Sequence, residues 1–251
     1  MMSRPSHIQP VSSGEAEQLA AGNQDDDATG SFASPPCFAH EIAPSYFDPL
    51  GADPQQATDV ARWRKAQRAS LLQDRAALPV ARRHDASLAV ARTLDRLLAE
   101  RHGDVAGLTV SAWWPIKAEL NLRHWMEDMT GRGATIVLPV VTKPRTPMIF
   151  RSWRPGCRMV QGFWKIPVPA EGPERIPDVT LAPVVGWDDA GFRLGYGGGY
   201  FDRTLAALRP RPFLIGVGIQ SARLSTIFPQ PHDIAMDAIV TEAGLQCRTK
   251  P

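Results

Sequence analysis

Between residues 80 and 98 the apolar positions recur at helical spacing. Val80, Leu88, Ala89, Ala91, Leu94, Leu97 and Leu98 form one stripe, which predicts a core-facing helix from about Pro79 to Arg101. A helix is also expected upstream, from Asp59, with Ala61, Trp63, Leu71 and Leu72 on one side and Arg62, Arg64, Lys65 and Arg68 clustered near its start. Downstream the period shortens. Val105 to Trp114 reads as a strand, Leu122 to Thr130 as a helix stopped at Gly131, and Ala134 to Val141 as a strand that Pro139 cuts short. Met148 to Trp153, Leu181 to Val185, Pro212 to Ile219 and a last run, Ile234 to Thr241, complete the strands. Strand, helix, strand with short connections argues a right-handed βαβ unit. The pattern as a whole predicts an α/β fold with a mostly parallel sheet, helices on both faces, and a ligand site at the carboxyl ends of the strands.

Composition refines that picture. The 251 residues are 43% hydrophobic and 22% charged, which suits one α/β domain plus a tail. Residues 1–35 carry few large apolar groups and are expected to be disordered, within an extension covering residues 1–57 ahead of a domain at residues 58–245. In the extension Phe38, Ile42, Tyr46 and Phe47 can dock on a surface. Cys37, His40 and Glu41 are metal-ligand types, though three in one short segment make a poor site beside a docking or partner-binding role. A net charge of +2, with arginines spread along the chain, gives no reason to expect nucleic acid. There is no apolar run near eighteen residues, and the polar start with its acidic Asp25-Asp26-Asp27 patch leads us to expect no signal peptide, no membrane partner and a cytoplasmic location. An odd set of cysteines, Cys37, Cys157 and Cys247, without paired spacing fits a reducing compartment.

The stretch from Arg193 to Leu205 stands apart, with four glycines in the five positions from Gly195 to Gly199. Such density weakens any regular element, so the backbone there must take positive φ or approach something closely. Consecutive amides can converge into an anion-binding nest, and Tyr200, Leu205 and Leu208 suggest a helix starting just behind it. A buried strand at Leu181 to Val185 and a turn at Trp187 to Gly191 precede it, which is a phosphate-site context. It is neither a Walker loop, lacking Gly-Lys-Ser/Thr, nor a dinucleotide fingerprint. Arg193 can hold phosphate oxygens, while Asp202 and Arg203 can hold a divalent cation and a further anion. The cluster Phe163-Trp164-Lys165-Ile166-Pro167-Val168-Pro169 either caps a core or offers Trp164 to a flat heteroaromatic ring.

The run Arg193-Leu194-Gly195-Tyr196-Gly197-Gly198-Gly199-Tyr200-Phe201-Asp202 resembles the signature of the 5-formyltetrahydrofolate cyclo-ligases, or methenyltetrahydrofolate synthetases, and the likeness extends more loosely over about residues 60–243. The resemblance implies a three-layer α/β fold of the NagB-RpiA-CoA transferase-like kind. It also implies closure of 5-formyltetrahydrofolate to 5,10-methenyltetrahydrofolate with ATP and Mg²⁺, by a monomer or weak dimer. On this likeness Arg64 and Arg68, with Lys65 beside them, reach the ATP phosphates, as do residues 193–201. Arg193 and Asp202 are the catalytic pair, and Asp202 and Asp233 hold the metal. Trp114, Glu119 and Trp164 contact the folate together with Tyr196, Gly197, Gly198, Gly199 and Tyr200, the Glu119 carboxylate accepting from the pterin amino and N–H groups. Several positions depart from the family pattern. Arg64 replaces a lysine, Lys117 and Asn121-Leu122 alter the surroundings of Glu119, Tyr196 and Gly198 stand where some relatives carry Arg and Lys, and Phe201 stands where Tyr is commoner. Two other classes remain open: an ATP-dependent enzyme acting on a different formamide or pterin-like substrate, and a non-catalytic folate-binding or regulatory protein.

Overall fold

The computed structural model describes residues 54–248. Helix α1 runs from Pro54 to Ala77, five residues earlier than the expected Asp59, with proline in its first turn where a missing N–H costs nothing. Pro79 then separates it from α2, Val80–His102. Of the extension expected at residues 1–57, only residues 54–57 are described, and they open α1. The aromatic docking group and Cys37, His40 and Glu41 lie outside the described residues.

Eleven strands and two further helices follow: β1 Thr109–Ser111, α3 Arg123–Gly131, β2 Thr135–Val140, β3 Ile149–Trp153, β4 Met159–Gln161, β5 Pro167–Pro169, β6 Val179–Pro183, β7 Gly186–Trp187, β8 Arg193–Leu194, α4 Tyr200–Ala207, β9 Phe213–Val217, β10 Ala238–Thr241 and β11 Gly244–Arg248. Seven form one sheet in the order β11-β10-β9-β6-β1-β2-β3, while β4 with β5 and β7 with β8 form small ribbons. The four central pairings are parallel and the two edge strands, β3 and β11, run antiparallel. The expected βαβ unit is β1-α3-β2.

Alternation along the central strands divides the core in two. Val179 and Leu181 of β6, Phe213, Ile215 and Val217 of β9, and Ala238 and Val240 of β10 pack with α2 and α3. Ala182, Leu214 and Ile239 point the other way, to Trp187, Met236 and Leu205 of α4. Helices therefore cover both faces, which is why these strands read as continuous apolar runs and not as alternating ones.

Four details depart from the expected pattern. Val80 is 73% and Leu88 45% exposed, so the buried stripe of α2 is Ala86, Val90, Leu94, Leu97 and Leu98. On α1 the buried apolar residues are Val60 and Trp63, while Ala61 is exposed and Leu71 and Leu72 only half-buried. Pro139 lies inside β2 instead of ending it. The last β1 partner of β2 is Val137, opposite Ser111, so at Pro139 only β3 remains alongside and no parallel ladder bond is forfeited. The final strand is β11, joined to β10 by a turn whose Gly244 has φ +104°.

Successive pairings run from β1 through β2 to β3 in one direction, and from β6 through β9 to β10 in the other. The order reverses between β1 and β6, whose carboxyl ends lead into the β1 loop and, through the β7–β8 ribbon, into the glycine loop. In open parallel sheets this is where ligands bind.

Candidate active site

Two loops build the site. The first leaves β1 and carries Trp114 and Glu119; the second follows the β7–β8 ribbon and is the glycine loop, Gly195 to Gly199. Gly197 has φ +93° and Gly199, the cap of α4, has φ +63°. Among the described residues no backbone N–H from Gly195 to Gly199 donates a hydrogen bond to the protein, and Gly197 and Gly198 are exposed. Their amides are not engaged by the protein, a precondition for holding an anion. Two guanidinium groups flank them. Arg68 donates from Nε to the Gly195 carbonyl at 2.7 Å, and a Cβ on Gly197 would lie 3.4 Å from its Cζ. Arg203 lies beside Gly199, and its Nη1 is buried without a hydrogen-bond partner. Burial, and then repulsion from Arg64, lowers the Arg68 pKa.

Two further arginines are paired with carboxylates inside the protein. Arg193 donates to Asp202 Oδ1 at 2.7 Å, their side chains being 3% and 16% exposed. Burial pushes the Asp202 pKa up, but the Arg193 charge and hydrogen bond outweigh it, with help from the Ile234 N–H, and the result is below the ordinary value. Arg64 grips Asp233 with both Nη atoms, at 2.8 and 3.0 Å, and Gln230 N donates to the same carboxylate at 2.7 Å. This pair is 9% and 4% exposed. In this arrangement Arg64 and Asp233 answer one another, and Asp202 is the more open of the two carboxylates. Among the described residues no three His, Cys, Asp or Glu side chains converge as a metal site. Lys65 is exposed on α1 and takes no part in these contacts.

The β1 loop meets the glycine loop through Glu119. Its Oε1 accepts the Tyr196 hydroxyl at 2.9 Å and its Oε2 the Ile116 N–H at 2.8 Å. Burial raises the Glu119 pKa, against the opposing pull of the Ile116 N–H, the Arg75 charge and Tyr196. Tyr196 is pushed up to about 12, by burial first and then by Glu119. Arg75, 7% exposed on α1, donates to the Tyr196 hydroxyl and to the Lys117 carbonyl. Sequence reasoning passed over Arg75, although it stands seven residues after Arg68 and eleven after Arg64, on the same side of a helix.

Glu119 also lines a cavity of about 420 Å³ with Arg83, His84, Trp114, Lys117 and Arg123; no glycine-loop residue lines it. Arg123 lies over the Trp114 ring, 5.3 Å from its centroid. On the other side, Trp164 is 63% exposed and stands edge-on to Tyr200 at 5.1 Å. Its φ of +54° is left-handed, a conformation that costs energy for a bulky residue and persists only where the surroundings impose it. Trp164 is thus held against the helix behind the glycine loop. Of the β4–β5 hairpin, only Val168 and Pro169 are buried.

No helix among the described residues is long and apolar enough to cross a membrane. A protein with the curated name 5-formyltetrahydrofolate cyclo-ligase from Mycolicibacterium smegmatis is 31% identical over 182 residues, which cover 69% of this chain and 91% of the relative. One of the same name from Escherichia coli K12 is 31% identical over 142 residues, covering 53% and 77%. Two solved methenyltetrahydrofolate synthetases share the fold at 23% identity. The Mycoplasma pneumoniae structure has a TM-score of 0.57, covering 71% of this chain and 98% of that one, and the Aquifex aeolicus structure a TM-score of 0.61, covering 75% and 93%. The family model described as the 5-formyltetrahydrofolate cyclo-ligase family matches residues 60–242, from the first turns of α1 to the end of β10, and this chain belongs to that family.

Proposed function

We propose that this chain, an enzyme of the 5-formyltetrahydrofolate cyclo-ligase family, converts 5-formyltetrahydrofolate to 5,10-methenyltetrahydrofolate with ATP and Mg²⁺, releasing ADP and phosphate. The observation that carries this reading is the meeting of Tyr196 and Glu119 at 2.9 Å, which joins a loop of unbonded amides to a buried carboxylate at the switch point of the sheet. On this reading a phosphate site and a site for ring N–H donors are neighbours.

A formamide oxygen is a poor leaving group, so it must first be activated. The formyl oxygen takes the γ-phosphoryl group of ATP and ADP leaves. N10 then adds to the formyl carbon and loses its proton, the C–O bond breaks, and phosphate departs from the methenyl bridge. Phosphoryl transfer needs positioning and charge neutralisation more than covalent help. The Gly195–Gly199 amides, Arg68 and Arg203 supply donors for the phosphates. Arg193 acts from behind, fixing the Asp202 carboxylate. Mg²⁺, held by Asp202 and, once its pair with Arg64 opens, by Asp233, would offset phosphate charge while keeping most of its waters. Glu119 accepts from the pterin, Trp114 and Trp164 flank it, and the cationic lining from Arg83, Lys117 and Arg123 suits an anionic substrate.

Mixing the protein with 5-formyltetrahydrofolate, ATP and Mg²⁺ should produce the methenyltetrahydrofolate absorbance with one ADP per turnover. ADP release only with some other formamide or pterin-like compound would reassign the substrate. Folate binding with no ADP release under any condition would remove the catalytic reading.

A further inference from the structure

Tyr196 belongs to the glycine loop by its backbone and to the folate side of the site by its hydroxyl. That hydroxyl accepts from Arg75 and donates to Glu119, so three side chains from α1, the glycine loop and the β1 loop share one chain of hydrogen bonds. The same arginine holds the β1 loop a second time, through the Lys117 carbonyl at 3.4 Å. Lys117 and Ala118, the two residues before Glu119, have φ of +47° and +63°. Consecutive left-handed residues with side chains are costly and need outside support. Arg75 provides it, and the Arg75 and Lys117 side chains also flank the Tyr196 ring, at 5.6 and 5.7 Å from its centroid.

A loop with four glycines in five positions has much conformational freedom to lose before its amides can converge on a phosphate. The Tyr196 hydroxyl is a tether that limits this freedom, and its far end is a carboxylate in the proposed folate site. A ligand that orders Glu119 orders the tether, and the nucleotide then meets a loop that has already lost part of its freedom. Ligands linked in this way tighten one another by equal factors.

We propose that Arg75 and Tyr196 are positioning residues that couple occupancy of the Glu119 site to nucleotide binding at the glycine loop. The inference rests on the functional reading above. It is tested by titrating the full chain with the non-hydrolysable analogue adenylyl imidodiphosphate and Mg²⁺, with and without saturating 5-formyltetrahydrofolate, and by the reverse titration.

In the unaltered protein each ligand should tighten the other by the same factor, roughly five-fold or more, as is usual for linked sites. Tyr196→Phe keeps the ring and removes the link, so each ligand alone should bind somewhat more weakly, while the mutual factor falls to within about two-fold of unity. Arg75→Lys keeps the charge but cannot span the hydroxyl and the carbonyl with one planar group, and should lose part of the factor. A purely structural role would weaken both ligands and leave the factor intact. Full coupling in Tyr196→Phe, or independent binding of the two ligands in the unaltered protein, overturns the inference alone. No binding of either ligand to the unaltered protein overturns the functional reading and the inference with it.

Discussion

Helices α1 and α2 are neighbours in sequence and nearly equal in length, 24 and 23 residues, yet they are held by opposite means. On α2 the buried side is Ala86, Val90, Leu94, Leu97 and Leu98, which pack on the sheet with α3. The buried apolar residues of α1 are Val60 and Trp63, the latter edge-on to Phe228 at 4.8 Å; its other anchors are Arg64 on Asp233, Arg68 on the Gly195 carbonyl, and Arg75 on Tyr196 and Lys117. One helix is a piece of the core. The other binds the site by hydrogen bonds that have direction as well as strength, so a substitution on α1 should alter function where one on α2 alters stability.

The sharpest contrast pairs one residue from each helix. Arg64→Ala leaves the nearly buried Asp233 carboxylate without its partner, which should cost about 3–5 kcal/mol, and the loosened 230–234 segment should also disturb Asp202, lowering turnover at temperatures where the variant is still folded. Leu94→Ala opens a cavity in the core and should cost a comparable or slightly smaller amount, about 2–5 kcal/mol, while turnover per folded molecule stays near normal. Denaturant melts and rates on the same samples separate the two. Equal loss of turnover in both variants would erase the distinction.

The pH dependence of stability sets the α2 core against another directed charge pair of the site, Asp202 of α4 with Arg193 of β8. The Asp202 pKa is lowered in the folded protein, so its pair with Arg193 contributes stability above the unfolded value of 3.8, and that contribution is lost as the pH falls through the lower folded value. Asp202→Asn should flatten this acid limb. Leu94→Ala should shift the whole curve and leave the limb's shape alone. Melting temperatures from pH 2 to 7 test both statements.

The smallest effect is expected on the outer side of α2. Val80 and Leu88 fall on the apolar stripe but are exposed, so Leu88→Gln should change stability by no more than about 0.5 kcal/mol, in thermal melts at neutral pH.

These two helices also show what the chain made legible. The α2 stripe is a burial pattern, and burial leaves a period that can be read, except at Val80, which lines the cavity, and at Leu88, and both of these are exposed. The glycine loop was legible because positive φ at Gly197 and Gly199 demands glycine. Pairing between distant charges leaves no such mark. Arg64 with Asp233 spans 169 positions and Arg75 with Tyr196 spans 121, so their residue types could be noticed but their partners could not. Hence Arg64 and Arg193 were expected to face phosphates and instead hold carboxylates, and Arg75 was passed over as one more basic residue on a polar helix. The strand β11 was missed because its signal was only a turn at Gly244 followed by a brief alternation without a large apolar run.

The central claim is that the glycine loop is a phosphate nest next to Glu119, and Gly197→Ala tests it most directly. At φ +93° an alanine is strained by about 1–2 kcal/mol, and its methyl group would touch the Arg68 guanidinium, 3.4 Å away, beside the proposed phosphate site. Nucleotide affinity, ATP-dependent formation of methenyltetrahydrofolate and melting temperature should be measured together on this variant. The account predicts a protein that still folds and still binds 5-formyltetrahydrofolate but loses most of its nucleotide affinity and rate. Unchanged rate and nucleotide affinity, with a melting temperature equal to or above that of the unaltered protein, would contradict it.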